Sequence, residues 1–116
     1  MISCDIHPDG QRVIVTFTVT DPARAEQQVH VVGDFNDWDP EATPLLISAG
    51  THAGSVALFP GRRYRFRYLS SHDGWFNDDT GWFEFNEFGQ KNCVLDLVIN
   101  LESLRRQVQS PEVAAG

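Results

Sequence analysis

Two of the three tryptophans in this 116-residue chain stand where an indole can meet a ligand. Trp38 lies in Gly33-Asp34-Phe35-Asn36-Asp37-Trp38-Asp39-Pro40, and Trp75 in His72-Asp73-Gly74-Trp75-Phe76-Asn77-Asp78-Asp79. Both stretches are polar and turn-forming, with no strand periodicity to turn the ring inward. An indole held at the surface is a flat apolar platform with one N–H donor at its edge. Arg65 and Asn92 add a planar cationic fork and a carboxamide that both donates and accepts. The combination suits a neutral polysaccharide, with indole faces stacked on the apolar C–H faces of glucose rings while Arg and Asn bond the hydroxyls at the ring edges.

Other chemistries find no comparable set of residues. The chain has no GxGxxG, GxxxxGKS/T, HExxH or GxSxG pattern. Asp34-x-Asn36 begins like a calcium loop, but Trp38 and Asp39 stand where an oxygen ligand and the required Gly belong. Asp73, Asp78, Asp79, Glu84 and Glu87 could supply a carboxylate pair for glycoside hydrolysis, yet they sit beside Gly74, Asn77 and Gly81 as ordinary turn formers. His7, His30, His52 and His72 fall in separate segments without ligand spacing. The expectation is a protein that is no enzyme and uses no cofactor or metal.

Composition narrows the partners. Sixteen Asp and Glu against nine Lys and Arg leave a net charge of −7, which argues against nucleic acid and anionic membrane. No run approaches the ~20 apolar residues of a membrane-spanning helix, and MISCDIHPDG lacks the basic-then-apolar pattern of a secretory leader. Cys4 and Cys93 form no CxxC and read as two buried thiols of a reducing compartment, so a cytoplasmic location is expected. Ten of the thirteen aromatic residues lie between Phe59 and Phe88 and must fill one core or build one binding face.

The elements that position these residues follow a period of two. Arg12 to Thr20 places Val13, Val15, Phe17 and Val19 on one face, and Gln28 to Gly33 makes a second strand before a polar loop from Asp34 to Pro44. Short strands are expected at Leu45–Ile47 and Ser55–Phe59. After the Pro60-Gly61 turn, Arg62 to Leu69 alternates Arg63, Arg65 and Arg67 with Tyr64, Phe66 and Tyr68. A polar loop from Ser70 to Gly81 precedes strands at Trp82–Phe85 and Asn92–Ile99. About seven short strands in this length imply an all-β, immunoglobulin-like antiparallel β-sandwich over residues 1–100. Residues 101–116 read as a short C-terminal helix, Leu101 to Val108 with Asn100 as N-cap, and a frayed tail from Ser110.

Four segments recur in a recognisable order: Val32-Gly33-Asp34-Phe35-Asn36-Asp37-Trp38, then Leu58-Phe59-Pro60-Gly61-Arg62-Arg63-Tyr64-Arg65-Phe66-Arg67-Tyr68, then Asp73-Gly74-Trp75, then Phe88-Gly89-Gln90-Lys91-Asn92. Together they resemble the family-48 carbohydrate-binding modules. That family includes the glycogen-binding domain of the AMP-activated protein kinase beta subunit and the early-set N-terminal domains of isoamylases and branching enzymes. The likeness covers Val13 to Ile99. It implies a sandwich of early-set type that binds α-1,4-glucans such as glycogen, starch or cyclodextrin, with Trp38 and Trp75 as the stacking residues. Arg65 stands where the kinase-type module has a lysine that bonds sugar hydroxyls, and Asn92 matches its asparagine. Phe88 takes the place of a leucine that inserts into the sugar ring, and Gln90 that of a threonine. The stretch between Tyr68 and Trp75 is longer than in that module. The resemblance leaves a second reading open, an early-set interaction or scaffold domain that has lost glucan binding and pairs with an α-glucan-processing enzyme.

Overall fold

Alternation decides the interior. Val13, Val15, Phe17 and Val19 all fall inside, and so do Tyr64, Phe66 and Tyr68, while Arg63 and Arg65 stay outside and Arg67 is half-buried. A fully buried Phe such as Phe17 contributes roughly 2–3 kcal/mol by leaving water. The computed structural model describes residues 1–78 and 82–98; the expected helix at Leu101–Val108, its tail, and residues 99–100 lie outside them.

Nine strands are present among the described residues: β1 (Ile2–Ile6), β2 (Val13–Val19), β3 (Val29–Gly33), β4 (Pro44–Ser48), β5 (Thr51–Leu58), β6 (Arg63–Ser70), β7 (Gly74–Phe76), β8 (Trp82–Phe85) and β9 (Lys91–Asp96). Single 3-10 turns occupy Pro22–Arg24 and Asp34–Asn36. Every pairing is antiparallel, along one hydrogen-bonded path β1-β2-β5-β4-β3-β6-β9-β8, with β7 on the side of β6. The chain is therefore all-β over this range. β4 is the seam of the path: Leu46 to Ser48 pair with β5, while Pro44 and Leu45 pair with β3. The sheet curls about it. Phe17 of β2 meets Phe66 and Tyr68 of β6, which are not its hydrogen-bonded neighbours, with ring centroids 5.1 and 6.5 Å apart. Val29, Val31, Leu45, Leu58, Leu95 and Leu97 complete the core between them.

Several strands depart from the sequence expectation, and β9 runs over Lys91–Asp96 rather than to Ile99. β1 alternates over only five residues and its inward side chains are half-buried; its place comes from pairing with β2, Ile2 with Phe17 through Ile6 with Val13. The turn between them is tied by Asp9, whose carboxylate accepts the Gln11 and Arg12 amides at 2.9 and 3.0 Å and the Arg12 guanidinium at 2.7 Å. These bonds hold the Asp9 carboxyl well below the usual carboxylate range, the Gln11 amide most of all. β7 lies inside the stretch expected to be a loop. Gly74, at φ 75°, turns the chain back so that Trp75 pairs with Leu69, and no local pattern over three residues announces that. β5 also begins at Thr51 rather than Ser55, because Ala49 and Gly50 take positive φ (50° and 79°) and close a two-residue hairpin with β4.

Cys93 is buried and Cys4 only half-buried, and both are free thiols. Burial pushes both thiols up, which keeps them protonated. Among the described residues no helix is long and apolar enough to cross a membrane.

Candidate functional site

The segment from Gly33 to Trp38 builds the first wall of the site, and each residue has a distinct task. Gly33 ends β3 where a Cβ would meet the Arg65 carbonyl oxygen at 2.3 Å and the Phe66 Cβ at 2.8 Å, so only glycine lets the chain pass this close to β6. Phe35 turns inward and stacks on Phe17, centroids 5.6 Å apart. Asn36 staples the loop, accepting the Gly33 amide at 2.9 Å and donating to the Val31 carbonyl and the Thr43 hydroxyl at 3.0 and 2.9 Å. Asp37 and Trp38 both sit at φ 57°, a left-handed conformation that costs a non-glycine residue roughly 1–2 kcal/mol. The chain turns sharply there, and the half-buried Trp38 ring comes to rest with its Nε1–H donating to Asp34 Oδ1 at 2.9 Å.

Trp75 makes the second wall from an edge strand, not from a loop as its sequence context suggests. It is 44% exposed, and the Arg67 guanidinium lies over its ring, 5.7 Å from the centroid. Arg67 is itself fixed by donating to Asn77 Oδ1 at 2.9 Å. The neighbouring Phe76 packs on Tyr68 at 5.2 Å and lies under Arg24, whose guanidinium carbon is 3.9 Å from its centroid.

The third wall is the hairpin between β8 and β9. Asn86 Oδ1 accepts the Phe88 and Gln90 amides at 2.9 and 3.0 Å, the Asn86 amide donates to the Gln90 carbonyl at 2.8 Å, and Gly89 supplies the positive φ of 76°. Phe88 is carried on the tip of this turn at 79% exposure, with Gln90 exposed beside it and Asn92 buried at the foot of β9.

These walls enclose an open cleft of about 550 Å³. Trp38, Trp75, Arg65, Asn92, Phe88 and Gln90, all six of the candidate residues, line it together. Asp34, Arg67, Asn86 and Glu87 line it as well. The role of Arg67 was there to be read, since it stands two residues from Arg65 on the outward face of one strand. The role of Asp34 was not, because the geometry of its two bonds depends on the turn that follows. Arg65 projects from the exposed face of β6, and its Nε donates to Glu84 of β8. That bond holds the guanidinium firmly in its charged form, raising its pKa.

The cleft can therefore stack on two aromatic faces and hydrogen-bond at the edges. Asp34 is engaged there through both oxygens, and Glu84, beside the cleft, by Arg65. Among the described residues no group of three His, Cys, Asp or Glu side chains is placed to hold a metal ion. A second cleft, of about 610 Å³, lies by Thr18 to Pro22 and contains none of the six residues. The enclosed carboxylate of its Asp78 already accepts from the Tyr68 hydroxyl at 2.9 Å and the Met1 ammonium at 2.8 Å. No protein-family model matches the chain, and no curated protein matches it.

Proposed function

We propose that this chain is a non-catalytic binding module for α-1,4-glucans, with glycogen, starch chains and cyclodextrins as ligands. One observation carries the reading: residues scattered from Trp38 to Asn92 line a single open cleft, with two indoles and a tip phenyl ring around an arginine and an asparagine. Glucose rings stack on such faces and bond such edges. The scaffold in this reading is an immunoglobulin-like sandwich of early-set type, formed as the curled sheet closes over the Phe17–Phe66 core. The four sequence segments that resemble family-48 modules contribute Trp38, Arg65, Trp75 and the Phe88–Asn92 turn, so the resemblance and the cleft rest on the same residues.

Borrowing the magnitude of base stacking on aromatics, each indole contributes about 1–3 kcal/mol. With a few hydroxyl bonds the affinity falls between millimolar and about ten micromolar, so firm attachment needs a polymer that offers many sites. Calorimetric titration with β-cyclodextrin and retention on immobilised glycogen test this, with the Trp38→Ala and Trp75→Ala variants beside the wild type. Binding by the wild type that either variant weakens is expected, with no reducing sugar released from amylopectin. A wild type that shows no retention at millimolar cyclodextrin refutes the reading.

A second reading, an interaction domain that docks on an α-glucan-processing enzyme, draws on one observation. β8 is an edge of the sheet path and exposes Phe83 and Phe85. The two readings separate in the same titration, since this one requires no cyclodextrin binding.

A further inference from the structure

We infer that Asp34 is the positioning residue of the cleft, holding the Trp38 ring at a fixed height over β6; the inference rests on the glucan-binding reading of that cleft. The carboxylate faces two donors from two parts of the chain. Oδ1 accepts the Trp38 Nε1–H at 2.9 Å, and Oδ2 accepts the Arg65 backbone N–H at 2.8 Å. Each oxygen thus has its own task. One joins the Asp34–Trp38 turn to itself, and the other joins that turn to the strand carrying Arg65, the donor next to the stacking face.

The backbone of Trp38 cannot do this alone. At φ 57° it sits in a region that tryptophan does not favour, so local preference works against the observed pose and an external restraint is needed to keep it. Hydrogen bonds to a charged acceptor are the stronger kind, and a bidentate carboxylate fixes direction as well as distance. There is a consequence for recognition. With its only side-chain donor directed at Asp34, Trp38 offers a bound sugar its face and no hydrogen bond, so hydroxyl recognition falls to the other polar side chains of the cleft, Arg65, Gln90 and Asn92 among them.

The two roles open to Asp34, holding Trp38 for ligand or merely tying the loop to the sheet, give different results in one set of measurements. Asp34→Asn keeps the shape but has one acceptor oxygen for two donors, whereas Asp34→Ala has none. The indole N–H resonances of ligand-free, nitrogen-15-labelled protein report whether Trp38 is held, with Trp75 as internal control. β-Cyclodextrin titration is then run on wild type, Asp34→Asn, Asp34→Ala, Trp38→Ala and the Asp34→Ala/Trp38→Ala double variant.

Faster exchange of the Trp38 indole proton with water is expected in both Asp34 variants while that of Trp75 is unchanged. Asp34→Ala is expected to weaken cyclodextrin binding about tenfold, with Asp34→Asn between it and wild type, and to cost less than about twofold more once Trp38 is gone. An equal loss with and without Trp38, or an unchanged Trp38 exchange rate in Asp34→Asn, overturns the inference. Asp34→Asn alone decides if the alanine variant fails to fold. A wild type that binds while Asp34→Asn and Asp34→Ala bind as tightly sinks the clamp and leaves the module standing; a wild type that does not bind sinks the glucan reading itself.

Discussion

Trp38 and Trp75 face the same cleft from two kinds of support. Much of what holds Trp38 lies within residues 31–43, in the Asn36 staple and the Asp34–Trp38 bond, with reaches to β6 through Asp34 and to β2 and β6 through Phe35. What holds Trp75 is spread along the chain: its pairing with Leu69, Arg67 above its ring, Asn77 behind Arg67, and Arg24 over the adjacent Phe76. One platform is built by a local turn, the other by tertiary docking of a three-residue strand. On the proposed glucan-binding reading, a locally stapled ring is expected to be ordered before ligand arrives, whereas an edge strand gives up freedom on binding and returns less of its contact energy as affinity.

Four measurements press on that contrast. The largest effect is expected from Gly33→Ala, whose new Cβ collides with the backbone of β6 and costs about 3 kcal/mol, lowering the thermal midpoint by roughly 10 °C or more. Its counterpart Gly74→Ala meets open space and carries only the positive-φ strain, about 1 kcal/mol, so the two melts should differ clearly. Next comes the pair of platform deletions. Trp38→Ala is expected to weaken β-cyclodextrin binding by about 2–3 kcal/mol and Trp75→Ala by about 1 kcal/mol, and equal losses in calorimetry would erase the difference between local and tertiary support.

A smaller effect is expected for Arg67→Ala. It removes the cation above Trp75 and should loosen that ring at a cost of about 0.5–1 kcal/mol in affinity, leaving the Trp38 indole resonance in place. Smallest is Glu84→Gln. The Arg65–Glu84 pair is exposed on both sides, so its loss should move stability by no more than about 0.5 kcal/mol in a denaturant titration.

The same contrast accounts for what the sequence disclosed. β2 and β6 were legible because a long alternation of buried and exposed positions is a property of the segment itself. The Trp38 turn was legible for a similar reason, since Gly, Asp, Asn and Asp in close succession already specify a turn before any partner is known. β7 was hidden inside an expected loop, and Trp75 with it, because three residues hold no periodicity and their strand character comes wholly from β6. β1 shows the same limit: Ile2, Cys4 and Ile6 form a weak pattern that only β2 completes. The six candidate residues were named from local contexts and from the resemblance, but that they share one cleft depends on the register of β6 against β9 and of β8 against β9, which no local pattern encodes.

The Asn86–Gln90 turn has a consequence for how such a cleft can change. Its bonds are closed by the Asn86 side chain and by backbone groups, and the Phe88 side chain takes no part in them. Position 88 is thus uncoupled from the architecture that displays it. A mutation there can reshape the mouth of the cleft while the hairpin stays folded, so on the glucan-binding proposal ligand preference is free to drift at this point without a stability toll. Trp38, wired into Asp34 and β6, has no such latitude.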